Sequence, residues 1–334
     1  MTVQVEVNDN HDFWFHNESI NQIISELINN GRVTINFNTE GPCVKSMGLY
    51  EFLENISSNL NIPHNNIEIR THNQVEYHPT FKITKLPLAH SLPTVQNELF
   101  FDENKHMKSF SDKSFKKFAC FVGRNSWDRL RISSRLYKEY KEESIQTYHL
   151  NIDDKKSLER SILGVDTIIS NSASIDTAKD ALNFLTECPF NGPDNINQYP
   201  ITVDSNLNID SEYYRFFLEV VCETYIKGNT FFPTEKTWRP IALKTPFVVN
   251  GPVGFLKNLK KLGFKTFDRW WEESYDYNGH EARIEKIFKI IDYISTLSIS
   301  ELNTMYNEMQ DVLEHNYQIL YKLTLEDFKK VFHY

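Results

Sequence analysis

The residue types best suited to chemistry fall in Phe232-Pro233-Thr234-Glu235-Lys236-Thr237-Trp238-Arg239-Pro240. Thr234 reads as an N-cap, which puts Glu235 and Lys236 in the first turn of a helix. Free backbone N–H groups and the helix dipole make such an end an anion site. A lysine there opposes the dipole on its own, and makes sense beside a bound anion such as a diphosphate. Glu235 would accept ribose hydroxyls. A capped surface helix with a local Glu–Lys pair has the same sequence.

Three further groups stand near predicted element ends. Phe216 to Thr224 is an apolar strand carrying Glu219 and Glu223, four apart and so on one face, where they are candidate donor contacts at a polar cleft. Phe121 to Arg131 reads as strand, glycine turn and helix, with Arg124, Arg129, Arg131 and Arg135 following the turn. Arginine grips two phosphate oxygens at once. Arg124 lies at the strand end, and Arg131 shares a helix face with Arg135. Asn38-Thr39-Glu40-Gly41-Pro42 closes a strand, and Glu40 there is the candidate general base. His72 and His78, with Glu76 and Tyr77, are candidate acceptor contacts. Asp276, in an aromatic and acidic patch from Trp270, suits either a sugar site or a packed loop.

These groups need scaffolds to position them. Apolar periodicity predicts helices at Ile20–Leu27, Leu49–Leu60, Trp127–Tyr140, Ala178–Leu185, Thr234–Leu243 and Gly254–Leu262. It predicts strands at Val33–Phe37, Ile67–Ile69, Phe118–Val122, Ile145–Leu150, Arg215–Glu223 and Pro246–Val249. Two long helices follow, Glu281–Leu297 and Glu301–Tyr321, which would cap the second domain or cross back to the first. Residues 71–114 show little period. The Pro-, Asn- and Gly-rich stretch from Cys188 to Asp210 reads as a junction. The expected fold is α/β, with domains at 1–195 and 196–334.

Composition narrows the function. The 334 residues hold 36 Lys and Arg against 45 Asp and Glu, a net charge of −9, which disfavours a surface built for nonspecific nucleic-acid binding. The basic runs Lys113 to Lys117 and Lys257 to Lys265 leave room for a local basic groove. The four cysteines are scattered without a CxxC pair, as expected in a reducing, cytoplasmic setting. The N-terminus lacks the pattern of a signal peptide, so none is expected, and the sequence shows no membrane span, metal-ligand spacing, phosphate loop or nucleophile elbow.

Together, the positions Phe217 to Glu223, Thr234 to Trp238 and Pro246 to Pro252 resemble the donor-binding segment of α-1,3-fucosyltransferases. The likeness covers about 40 residues and extends weakly to Arg124–Arg131. Similar segments occur in fucosyltransferase-like proteins of viruses and bacteria. The resemblance implies a GT-B fold, in which two Rossmann-like domains face a cleft that holds a nucleotide sugar. It implies Lys236 on the donor diphosphate, Glu235 on the ribose, and Arg129 or Arg131 as the second diphosphate cation. A tyrosine common before Thr-Glu-Lys in that family is replaced around Phe232-Pro233, so the donor need not be a fucose nucleotide. The expected activity is metal-independent glycosyl transfer with no cofactor, with domain closure excluding water. The expected partners are a nucleotide sugar and, as acceptor, a glycan, a polysaccharide or a hydroxymethylated pyrimidine in DNA, the last requiring base flipping. A nonenzymatic nucleotide-sugar or glycan binder on the same fold is the alternative.

Overall fold

A computed structural model describes residues 2–4, 17–38, 40–87, 91–123, 125–150, 155–171, 174–188 and 209–333. Arg124 and most of the segment between Cys188 and Asp210 fall outside these residues.

The chain builds two parallel sheets, as the α/β expectation requires. The first contains β1 (Thr2–Gln4), β2 (Val33–Asn36), β3 (Ile67–Thr71) and β4 (Lys82–Lys85), in sequential order. Helices α1 (Asn17–Asn30) and α2 (Leu49–Leu60) belong to this lobe. Burial alternates along β2 and β3. The inward residues Val33, Ile35, Ile67 and Ile69 pack with Ile23 and Leu27 of α1 and with Leu49 and Leu53 of α2. The other face carries polar side chains, including Thr34, Glu68, Arg70 and Thr84.

The second lobe begins with α3 (Ser91–Glu98) and α4 (Glu103–His106). Its sheet holds β5 (Lys116–Val122), β6 (Ser144–Tyr148), β7 (Phe216–Cys222) and β8 (Phe247–Asn250), in the order β6-β5-β7-β8. Helices α5 (Trp127–Tyr140), α6 (Lys155–Asn171), α7 (Ile175–Glu187), α8 (Glu235–Ala242) and α9 (Phe255–Lys261) connect and flank the strands. All seven residues of β7 are buried. A strand covered on both faces reads as the continuous apolar run seen in sequence.

The boundary expected at 195 is corrected by this topology. It runs through the second sheet, where β5 pairs with both β6 and β7. Helix α7 and β7, on either side of the Pro- and Asn-rich stretch, pack in one core. The chain changes lobes instead between β4 and α3, since Leu92 and Val95 pack in the second core.

The C-terminal helices are α10 (His280–Thr296), α11 (Ile299–Glu308), α12 (Gln310–Lys322) and α13 (Leu325–Phe332). They both cap and cross. Phe328 and Phe332 pack in the second core, while Lys85 of β4 donates to Phe332 O at 2.8 Å. No helix among the described residues is long and apolar enough to span a membrane.

Candidate active site

In the second sheet the chain leaves β5 toward β6 on one side, and returns to β7 on the other. The carboxyl ends of β5 and β7 therefore form a topological switch point, where open parallel sheets bind ligands. Helix α5 starts just beyond β5, and its first turn is tied down. Asp128 accepts from Ser126 Oγ at 2.6 Å and from Asn250 Nδ2, at the end of β8, at 2.8 Å. Arg129, also buried, donates Nη2–H to Cys222 O at 3.3 Å and to Glu223 O at 2.9 Å. The guanidinium is thereby fixed at the last residues of β7.

The start of α8 meets the same strand end. Thr234 caps it as expected, its hydroxyl accepting from the Lys236 N–H at 3.4 Å. Glu223 lies across this terminus. Its carboxylate accepts from Thr234 N at 3.0 Å, Thr234 Oγ1 at 2.7 Å, Thr237 Oγ1 at 2.6 Å and Thr224 N at 3.1 Å. A buried carboxylate with four donors has no capacity left for a ligand. Glu223 is therefore corrected from a donor contact to a cap that positions α8.

Lys236 Nζ lies 2.7 Å from Glu235 Oε1, 3.2 Å from Thr234 Oγ1 and 3.4 Å from Thr224 Oγ1. The Lys236 and Glu235 side chains keep 20% and 22% of their surface exposed, so both remain within reach of a ligand. Burial works against ionisation of Glu235. The charge and hydrogen bond of Lys236, together with Arg239, outweigh it and hold the carboxyl below its ordinary value.

The first lobe supplies Glu40, half-buried and one turn past β2. Glu40 N donates to Phe37 O at 2.8 Å, and Glu40 O accepts from His72 N at 3.1 Å. Its carboxylate Oε2 accepts from the hydroxyl of Tyr225, in the loop after β7, at 2.6 Å. The consecutive residues Glu223, Thr224 and Tyr225 thus touch Arg129, Lys236 and Glu40 in turn.

Buried polar contacts hold the two strand-end surfaces together. Asn73 donates to Asn229 O at 3.0 Å and accepts from Phe231 N at 2.9 Å. Thr230 Oγ1 donates to Gly41 O at 2.5 Å. The approach is close enough to exclude side chains. A Cβ on Gly41 would lie 2.9 Å from Cδ2 of Phe232. Gly228, at φ +69°, would place one 2.6 Å from Cys43 Sγ.

No family model and no curated protein matches the chain. A solved chain described as the apo structure of OtsA aligns over 98% of this chain and 71% of its own, at 8% identity and a TM-score of 0.42. Another, from a study of glycosyl transfer with retention by trehalose-6-phosphate synthase using bisubstrate glycomimetics, aligns over 98% of this chain and 73% of its own, at 10% identity and a TM-score of 0.40. At this distance the likeness bears on neither chemistry nor substrate.

The remaining expected residues sit elsewhere. Arg131 points away from the strand end, to Glu281 at 3.0 Å and Glu285 at 2.7 Å on α10, with its guanidinium over Phe288. Its helix position turns it toward α10 rather than β7. His72 stands beside Glu40, but its ring is spent on structure: Nδ1 lies 2.5 Å from Pro87 O and Nε2 2.6 Å from Asn38 O. His78 stacks on Tyr50 and Phe81, with Nε2 3.5 Å from Glu54. Both rings are held by contacts within the first lobe. Asp276 caps α9, accepting from Leu256 N at 2.9 Å and Lys257 N at 3.1 Å, so it is not a sugar contact. Among the described residues, no cluster of His, Cys, Asp or Glu has metal-binding geometry.

Glu219 shares the α8-facing side of β7 with Glu223, as the spacing requires, but lies mid-strand in the core. It accepts from Arg239 Nη2 at 3.1 Å and from Tyr213 OH at 2.5 Å. Buried Lys108 is close by, donating to Tyr213 O at 2.5 Å and Thr245 Oγ1 at 2.9 Å. Burial pushes the Lys108 ammonium well below its ordinary range, and Glu219 only partly opposes this. In the window between that lowered value and the unfolded value near 10.4, the unfolded chain binds the extra proton. Stability contributed by this site therefore rises with pH across the window, and is lost as pH falls through it. Denaturant unfolding at a series of alkaline pH values below 10 should show this slope in the wild type and a flatter one in Lys108→Met. Equal slopes would assign the dependence to other groups.

Proposed function

We propose that the chain is a metal-independent glycosyltransferase of the two-lobed GT-B type, moving a sugar from a nucleotide donor to a hydroxyl acceptor. The observation that carries the reading is the convergence on Glu223-Thr224-Tyr225, where two cations from separate helices and a carboxylate from the other lobe meet. In the reaction the acceptor oxygen bonds to the anomeric carbon, the bond from that carbon to the diphosphate oxygen breaks, and the acceptor proton passes to a base. Arg129 and Lys236 would stabilise the negative charge growing on the diphosphate. Electrostatic stabilisation of that kind is usually the largest catalytic contribution. Glu40 would take the acceptor proton.

Donor binding would exchange one ion pair for two contacts. Lys236 would turn from Glu235 to a phosphate oxygen. Glu235, which is held ionised, would accept the ribose hydroxyls. Arg124 lies outside the described residues.

For the acceptor we favour a glycan hydroxyl over a base in DNA. Lys116 and Lys117 stand at the amino end of β5, opposite the ligand edge, and donate to Glu142 O and Ser295 O. In the second run, Lys260 is paired with Asp268 at 2.9 Å and Glu273 at 3.3 Å. A panel of nucleotide sugars, assayed for nucleoside diphosphate release with and without oligosaccharide acceptors, tests the reading. Release that rises with an acceptor is the expected result. Tight donor binding with no release under any acceptor would make the chain a binder instead. Steeply salt-dependent binding to duplex DNA would favour the DNA acceptor.

A further inference from the structure

Tyr225 belongs by sequence to the second lobe, following β7. Its ring is nevertheless buried in the first lobe's core, in one cluster with Phe37, Val44 and Tyr50. Phe232 lies beside it, ring centroids 5.9 Å apart, and packs against both cores. The hydroxyl at the end of this inserted ring donates to Glu40 Oε2 at 2.6 Å. The Glu40 backbone is fixed wholly within the first lobe, through Phe37 and His72. Its carboxylate is held from the second.

We infer that Tyr225 is a positioning residue, whose hydroxyl sets the orientation and ionisation of the Glu40 carboxylate from across the two lobes. The inference rests on the proposed role of Glu40 as the base. A base works only when its lone pair is held close to the productive geometry, and side chains on loops need outside support for that. A hydrogen bond donated to a carboxylate also favours its charged, proton-accepting form. The ring and the hydroxyl have separable roles. The ring fills the first core, and the hydroxyl meets the carboxylate. Tyr225→Phe keeps the first and removes the second. His72 is also titratable on this stretch, and its ring nitrogens lie 2.5 Å from Pro87 O and 2.6 Å from Asn38 O.

The test compares wild type, Tyr225→Phe and Glu40→Gln as full chains. Two quantities are read. One is the titration of the Glu40 carboxyl in protein carrying ¹³C-labelled glutamate, assigned as the signal missing from Glu40→Gln. The other is nucleoside diphosphate release against pH, using UDP-glucose, GDP-mannose and GDP-fucose as donors. Tyr225→Phe should unfold at a midpoint near that of wild type, and its donor KM should barely move. Its kcat should fall by about 10-fold, and both the Glu40 titration and the acid limb of the rate profile should rise by about one pH unit. An unmoved Glu40 titration in Tyr225→Phe overturns the inference, whatever the rate does. Wild-type turnover by Glu40→Gln overturns the base assignment and the positioning role with it. Should wild type release no diphosphate from any donor, the transferase reading fails, and the titration alone still decides whether Tyr225 controls the carboxylate.

Discussion

Lys236→Ala is expected to lower nucleoside diphosphate release by about 10²-fold or more, the scale of losing one electrostatic contact to developing charge. The fold should barely notice. The Lys236 side chain is partly exposed, and the cap of α8 runs through its backbone N–H, which alanine keeps. Glu223 continues to hold Thr234 and Thr237 in either case. The substitution also strips Glu235 of the cation that opposes its burial, so the Glu235 carboxyl should titrate at higher pH in the variant. Lys236→Arg keeps the charge and should recover part of the rate. Wild-type turnover in Lys236→Ala, at an unchanged unfolding midpoint, would refute the diphosphate role.

Arg239→Ala should instead act on stability, with a loss of about 3–5 kcal/mol in denaturant unfolding. Arg239 is buried and donates from Nε to Tyr213 OH at 2.6 Å, as well as from Nη2 to Glu219. Burial raises the Glu219 carboxyl, and the guanidinium is the strongest influence opposing it. Removing the cation leaves that carboxyl in the core with only Tyr213 and the nearby Lys108. A double variant, Glu219→Leu with Arg239→Met, takes out both charges and should recover most of the loss, since well-packed apolar pairs often replace buried ion pairs at little cost. A loss below about 1 kcal/mol in Arg239→Ala would mean that the pair contributes no more than an exposed one.

These two predictions mark where the sequence was legible and where it was not. Leu49–Leu60 and Trp127–Tyr140 match the observed helices to the residue, the first ending where Asn61 turns left-handed ahead of Pro63. The irregular reading of 71–114 missed β4 and α3. Lys82-Ile83-Thr84-Lys85 is a short edge strand with one apolar residue, and α3 buries only Leu92 and Val95, so neither gives a strong period. Helix α6 was missed as well. The single helix expected from Glu301 to Tyr321 breaks at Met309, where no glycine or proline marks the joint.

The site divides the same way. Arg129 and Lys236 were legible because each lies in the first turn of a helix that follows a strand. Glu219 and Glu223 looked alike in sequence, and only the fold separates a core carboxylate on Arg239 from a cap on Thr234. Arg131 differs from Arg129 by two positions, enough to turn it toward α10. Tyr225 could not be assigned from sequence, since its partner Glu40 lies 185 positions away. The one local signal was a tyrosine directly after the apolar strand and its glutamate.

The glycine contacts at the seam bear on how such an enzyme would breathe. Gly41 faces the Phe232 ring and Gly228 faces the Cys43 sulfur, with no room for a methyl group at either. Asn73 and Thr230 stitch the same surface with buried bonds. A wide hinge opening would have to break these contacts, whereas a pivot about the seam would keep them.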